Sequence, residues 1–180
     1  MTQLGAWEVG IEEVPLRLSS DRPFLEKNFE TWIQRDPSML RGNVRWVARQ
    51  LVLPDRSRLD LLGLTNDGTW VVVELKAGPV LTSTVLQALH YFLQIEALDD
   101  AELVRRIRDQ GLADRSVDSE LEALAIAADQ SERDYQLVVA GVGAGESASS
   151  AAQILAKYGF TIPIKVVRFD LFTAPDGRRV

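Results

Sequence analysis

Three charged residues interrupt an apolar hairpin pattern in the stretch 59–77, LDLLGLTNDGTWVVVELKA. Asp60 sits inside the first apolar run, and Glu74 and Lys76 close the second, directly after Trp70-Val71-Val72-Val73. A strand gains nothing by burying a carboxylate or an ammonium unless something pairs with it. The TNDG turn makes the two runs antiparallel neighbours. Alternate residues of a strand share a face, so Glu74 and Lys76 point the same way, with Leu75 opposite. Asp60 and Glu74 stand at nearly equal distances from the turn. Placed on one face, they bring two carboxylates together with an ammonium alongside.

Adjacent carboxylates repel unless a cation separates them. A hard ion such as Mg²⁺ or Mn²⁺ binds through one or two carboxylates and keeps several waters, and the backbone carbonyl of Leu75 is a further candidate oxygen ligand. A lysine beside such an ion can position the attacking water and offset developing negative charge. These parts suit metal-assisted hydrolysis of a phosphodiester. The competing reading is structural. A Glu-x-Lys at a strand end is commonly a solvated edge, and Asp60 with Lys76 can be a simple ion pair. Asp60 inside an apolar run, and Glu74 after WVVV rather than in a polar stretch, weigh toward chemistry.

The elements that must hold these residues are legible from periodicity. Leu25, Phe29, Trp32 and Ile33 recur at helical spacing through FLEKNFETWIQRD, with Ser20 or Asp21 as cap and Pro37 as the stop. VRWVARQLVL, RLDLLGL and TWVVVELKA read as three strands. LTSTVLQALHYFLQIEA is helical, with Thr82 or Ser83 as cap, and DDAELVRRIRDQG and SVDSELEALAIAADQ follow as helices. YQLVVAGVG is a buried strand, SASSAAQILAKYG a helix, and IPIKVVRFDLFTA a final strand. The order describes an α/β (α+β) domain, a mixed central sheet flanked by helices.

The chain has 180 residues, which favours a single domain spanning 1–180, with the motif-bearing core at about 24–94. It has no cysteine and one histidine, excluding thiolate and multi-histidine metal sites. No secretory signal and no membrane-length apolar run is visible, so a cytoplasmic location is the default expectation. The net charge of −6 demands that any nucleic-acid contact concentrate its basic residues on one face. Arg41, Arg45, Arg49, Arg56 and Arg58 cluster just ahead of Asp60. On a regular strand Arg45 and Arg49 share a face, and with Arg58 they are candidate phosphate contacts. Scattered solubilising charge is the alternative. Gly141-Val142-Gly143-Ala144-Gly145 lacks the Lys-Ser/Thr of a phosphate loop and reads as a strand-to-helix connection.

Asp60 followed by Glu74-Leu75-Lys76 resembles the PD-(D/E)XK nuclease superfamily, the restriction-endonuclease-like fold. More locally, RLDLLGLTNDGTWVVVELKAG followed by LQALHYF is similar to the nuclease domain of the NucS/EndoMS group. The resemblance covers residues 24–94. It implies a divalent-metal-dependent endonuclease acting on DNA, with Asp60 and Glu74 on Mg²⁺ or Mn²⁺ and Lys76 positioning water. It also singles out a helix with a glutamine and a tyrosine, matched by Gln87 and Tyr91, and an upstream glutamate, matched by Glu30. Glu30 then completes the metal site or is a solvated helix residue. Gln87 holds the lysine, a water or a phosphate oxygen, or is a surface amide. Tyr91 touches the nucleic-acid backbone or packs with its hydroxyl wet. His90, about 100° round the helix, reads as structural. A catalytically silent nucleic-acid-binding or assembly module on the same fold is the rival. Cleaving both strands of a duplex calls for two sites, so a homodimer is expected, with the apolar faces of the first helix and the last strand available to a partner.

Overall fold

The computed structural model describes residues 26–40, 42–110, 133–143 and 145–170. Helix α1 (Glu26–Arg35) leads through a 3₁₀ turn (Pro37–Met39) into strands β1 (Val44–Val52), β2 (Arg58–Thr65) and β3 (Trp70–Lys76). Helices α2 (Thr82–Glu96) and α3 (Asp100–Asp109) follow, then β4 (Tyr135–Val142), α4 (Glu146–Lys157) and β5 (Ile164–Phe169). The five strands form one sheet in the order β1-β2-β3-β4-β5. β1, β2 and β3 run antiparallel, while β3, β4 and β5 run parallel. This is the mixed sheet flanked by helices that the sequence implies. The expected cap at Ser20 or Asp21, Arg41, the helix expected at 116–130 and the end of the last expected strand lie outside the described residues. Among the described residues no helix is long and apolar enough to cross a membrane.

β3 is the central strand, and its run WVVVEL is buried throughout. A strand covered on both faces reads as a continuous apolar run rather than an alternating one. Trp70 and Val72 face α2 and α3, in a core with Leu62, Leu64, Tyr91, Leu103 and Ile107. Val71, Val73 and Leu75 face the other side, where they meet Phe29 and Ile33 of α1. By strand alternation Glu74 and Lys76 therefore lie on the α2 side.

α1 is anchored by its apolar stripe. Phe29 stacks edge-on against Phe169 of β5, with ring centroids 4.7 Å apart. The indole N–H of Trp46 donates to the Ile33 carbonyl at 3.0 Å, tying the helix to β1. Burying Phe29 and Ile33 is worth about 1.5–3 kcal/mol each, and that fixes where Glu30, next to Phe29, can reach. The faces expected to be free for a partner are thus largely occupied: Phe29 and Ile33 are buried, and so are Val167 and Phe169 of β5. The large apolar side chains exposed among the described residues are Leu81, Leu86, Leu93, Ile154 and Tyr158.

Two local details depart from the periodic reading. α2 is not capped by the Thr82 or Ser83 hydroxyl. Its cap position is Leu81, and the Leu81 N–H is instead taken up by the Thr84 hydroxyl at 3.3 Å. β1 carries a bulge between Trp46 and Ala48, so that Arg45 pairs with Leu64 but Arg49 pairs with Leu61. Leu64 and Leu61 belong to cores on opposite sides of the sheet. Arg45 and Arg49 therefore do not share a face, because one extra residue in a strand reverses the alternation beyond it.

The glycine-rich segment is structural where it is described. A Cβ on Gly141 would lie 2.5 Å from the Gly78 carbonyl oxygen and 2.7 Å from a Val80 methyl. β4 can pass this close to the end of β3 only without a side chain there. At the far end of α2, the Arg133 guanidinium donates to the carbonyls of Ile95 (3.0 Å) and Leu98 (2.6 Å) and pairs with Asp100. It thereby holds the helix that carries Gln87 and Tyr91.

A candidate metal centre at the ends of β2 and β3

The β2–β3 ladder is regular from Leu64↔Trp70 to Leu61↔Val73. One step further the same register sets Asp60 opposite Glu74. Here the ladder gives way: the Leu75 N–H is taken by the Asp60 carboxylate, at 2.8 Å from Oδ2, instead of by a backbone carbonyl. In an extended strand a residue's N–H and C=O lie on the same edge, so the Leu75 carbonyl is directed toward this opening too.

Glu74 is buried, with 2% of its side chain exposed, and one of its oxygens, Oε1, pairs with the Lys76 ammonium. The other, Oε2, is buried without a hydrogen-bond partner. Lys76 itself is 29% exposed, so its ammonium stands between the buried carboxylate and the outside. The Lys76 ammonium pairs with Glu74, and its charge also acts on Asp60.

The electrostatics follow from this placement. Burial raises the Glu74 carboxyl to about 8, and the neighbouring Asp60 charge pushes in the same direction, with Lys76 opposing. Burial also raises Asp60, opposed chiefly by the Leu75 N–H. Two carboxyl groups facing each other with one ammonium leave a charge that a proton or a cation must offset. An unpartnered Oε2, the Asp60 carboxylate and a backbone carbonyl directed at one opening are an all-oxygen donor set. That is the chemistry Mg²⁺ or Mn²⁺ accepts, with water and substrate oxygens filling the remaining positions. Among the described residues no group of three or more His, Cys, Asp and Glu side chains is arranged around a single metal position.

Glu30, the upstream glutamate singled out in the sequence, does not form a three-acid cluster with Asp60 and Glu74. It is buried on α1, and its two oxygens accept from Arg49 Nε (2.7 Å) and from the Gln50 amide (2.9 Å). Gln50 Nε2 also donates to Asp60 Oδ1 at 3.0 Å, so Glu30 reaches the carboxylate pair through an intermediary. Arg49 is committed to Glu30 and, at 3.0 Å, to Gln34. Its side chain is 30% exposed. Arg45 and Arg58 are exposed.

Gln87 and Tyr91 do lie on one face of α2, where the Gln87 amide donates to the Tyr91 hydroxyl at 2.6 Å. Tyr91, however, is 4% exposed and part of the core. Burial raises its hydroxyl pKa, the Gln87 hydrogen bond opposes the rise, and the charges of Glu74 and Asp60 add to it. His90 is exposed and pairs with Asp55 of the β1–β2 turn at 2.5 Å, away from these groups.

Gln50 is the participant that the sequence did not reveal. A glutamine in a strand carries no chemical signature. The available signal was positional: it is a polar residue within an apolar strand, VRWVARQLVL, of a length that pairs it with Asp60.

No protein-family model matches the chain, and no curated protein matches it. Among solved structures it is similar to a repair endonuclease from Pyrococcus abyssi, with 18% identity, a TM-score of 0.48, and coverage of 85% of this chain and 50% of that one. It is also similar to EndoMS in a complex with double-stranded DNA, at 16% identity and a TM-score of 0.46 over 83% of this chain and 47% of that one. EndoMS in its apo form gives 16% identity and a TM-score of 0.44, over 82% of this chain and 48% of that one. The chain spans about half the length of the solved structures it matches.

Proposed function

We propose that the protein is a divalent-metal-dependent endonuclease that hydrolyses DNA phosphodiester bonds. The observation that carries this reading is the buried, unpartnered Oε2 of Glu74, facing a second carboxylate, Asp60, with Lys76 beside it. A carboxylate pair held this way weakens the metal-free fold, and a cation is the partner that would make it favourable. Asp60, Glu74 and the Leu75 carbonyl would hold Mg²⁺ or Mn²⁺. When bound, the ion would neutralise charge on the phosphate and make a strong nucleophile available near neutral pH.

The protein's own groups do the remainder. Lys76 orients the attacking water and offsets the negative charge that grows as water adds to phosphorus and one P–O ester bond breaks. The Gln87–Tyr91 pair lies on α2, on the side of the sheet to which Glu74 and Lys76 point. Arg58, two residues before Asp60 on the same strand, and Arg45 are the exposed cations offered to the phosphate backbone. DNA as the substrate rests on the resemblance of residues 24–94 to a DNA-nuclease domain.

The test is incubation of the purified protein with single-stranded, double-stranded and branched DNA, with Mg²⁺, with Mn²⁺ and with chelator. Ion-dependent cleavage of at least one substrate is expected. Binding without cleavage under both ions would leave the silent nucleic-acid-binding module as the better reading. A homodimer belongs to the same proposal, because one chain supplies one site and a two-fold pair supplies a site for each strand. The exposed leucines of α2 and Ile154 and Tyr158 of α4 offer its contact surface. Sedimentation at micromolar concentration should give a dimer. A monomer there, with and without DNA, would exclude concerted double-strand cleavage and leave nicking or single-strand cleavage.

A further inference from the structure

Gln50 holds an unusual backbone. Its φ is +52°, in the left-handed region that residues with a side chain seldom occupy, and it lies within a strand. The consequence of that twist is where the amide goes. One nitrogen, Nε2, donates to Glu30 Oε1 at 2.9 Å and to Asp60 Oδ1 at 3.0 Å. Arg49 fixes the other Glu30 oxygen, and the Leu75 N–H fixes the other Asp60 oxygen. A continuous line of hydrogen bonds thus runs from α1, across β1 and β2, to β3.

We infer that Gln50 is a positioning residue of the cation site: its amide sets the orientation of the Asp60 carboxylate and braces it against Glu30 before an ion arrives. The inference rests on the metal-site reading above. The residue type fits the task. Each carboxylate oxygen has two lone pairs, so Asp60 Oδ1 and Oδ2 keep one apiece after accepting from Gln50 and Leu75. An amide is a neutral donor, so it steers the carboxylate without supplying the positive charge that the site needs from its ion. A lysine or arginine in the same place would compete with the cation. Groups that orient metal ligands in this way commonly alter metal affinity by about 10- to 100-fold when removed.

The strained backbone gives a clean experiment. Glycine is at ease at φ +52° and alanine is not, so Gln50→Gly and Gln50→Ala remove the same amide but differ in backbone strain. Mn²⁺ affinity by titration calorimetry and the melting temperature without metal are read for both and for the wild type. The expected result is a loss of Mn²⁺ affinity of about tenfold or more in both variants, with Gln50→Gly melting above Gln50→Ala. Affinity that follows melting temperature instead, with Gln50→Gly binding Mn²⁺ as the wild type does, would overturn the role of Gln50 and leave the metal site standing. A wild-type protein that binds no Mn²⁺ would overturn the metal site and the role of Gln50 with it.

Discussion

Glu74→Gln should abolish cleavage and yet yield a protein that, without metal at pH 8, is more stable than the wild type. The loss of rate should be on the order of 10³-fold, since a correctly held ion supplies several kcal/mol of transition-state stabilisation. The gain in stability has a local cause. In the wild type, once Glu74 is ionised, its Oε2 is a buried acceptor with no donor, next to a second carboxylate. In the variant the corresponding amide nitrogen can donate to Asp60, and the retained amide oxygen can still accept from Lys76. Exchanging a buried, repelled charge for a neutral hydrogen-bonded group is worth on the order of 2 kcal/mol. Chemical denaturation and a cleavage assay on the same two proteins check both halves. The structural reading gives the opposite sign for stability: were the Glu74–Lys76 pair a brace of the fold, removing one charge of a buried pair would cost about 3–5 kcal/mol. A large drop in melting temperature would therefore favour that reading.

What the sequence could show of this site was its pairing geometry. The TNDG turn and two apolar runs of matching length set Asp60 opposite Glu74, and the observed register, continued one step past Leu61↔Val73, gives the same pair. Alternation put Glu74 and Lys76 on one face, and helical spacing put Gln87 and Tyr91 on another shared face. Each of these depends on local repeat geometry alone. The features that were not legible depend on contacts distant in sequence. The bulge at Val47 that separates Arg45 from Arg49 lies where β1 crosses Gly63 of β2, against whose backbone Val44 and Trp46 pack closely. The commitment of Arg49 to Glu30 needs α1 to be docked by Phe29 and by the Trp46–Ile33 bond. The burial of Tyr91 depends on which side of the sheet α2 covers, and a tyrosine on an amphipathic helix is compatible with either. The left-handed turn at Gln50 has no residue-type signal, because glycine, the usual marker, is not used there.

The pH dependence of stability, and its reversal by metal, should be the most direct physical signature of the carboxylate pair. Glu74 has its folded pKa raised from 4.5 to about 8, so the folded state holds this proton more tightly than the unfolded chain does. The stability it contributes is fully present below pH 4.5, falls as pH rises from 4.5 to about 8, and is constant above. The slope for one such group approaches about 1.4 kcal/mol per pH unit. Asp60, also raised, acts in the same direction over a window that starts from its unfolded value of 3.8. A divalent cation needs the deprotonated carboxylates, so it competes with these protons, and its affinity should climb through the same interval. Without metal, the melting temperature should therefore decline between pH 5.5 and 8. The increment produced by a fixed concentration of Mg²⁺ should grow over that range and level off above about pH 8. In Glu74→Gln the decline should flatten and the metal increment should vanish, and Asp60→Asn should lose the increment as well. An increment that is the same at pH 6 and pH 8, or that survives in both variants, would place the ion elsewhere on the protein and remove the basis for a catalytic role of this pair.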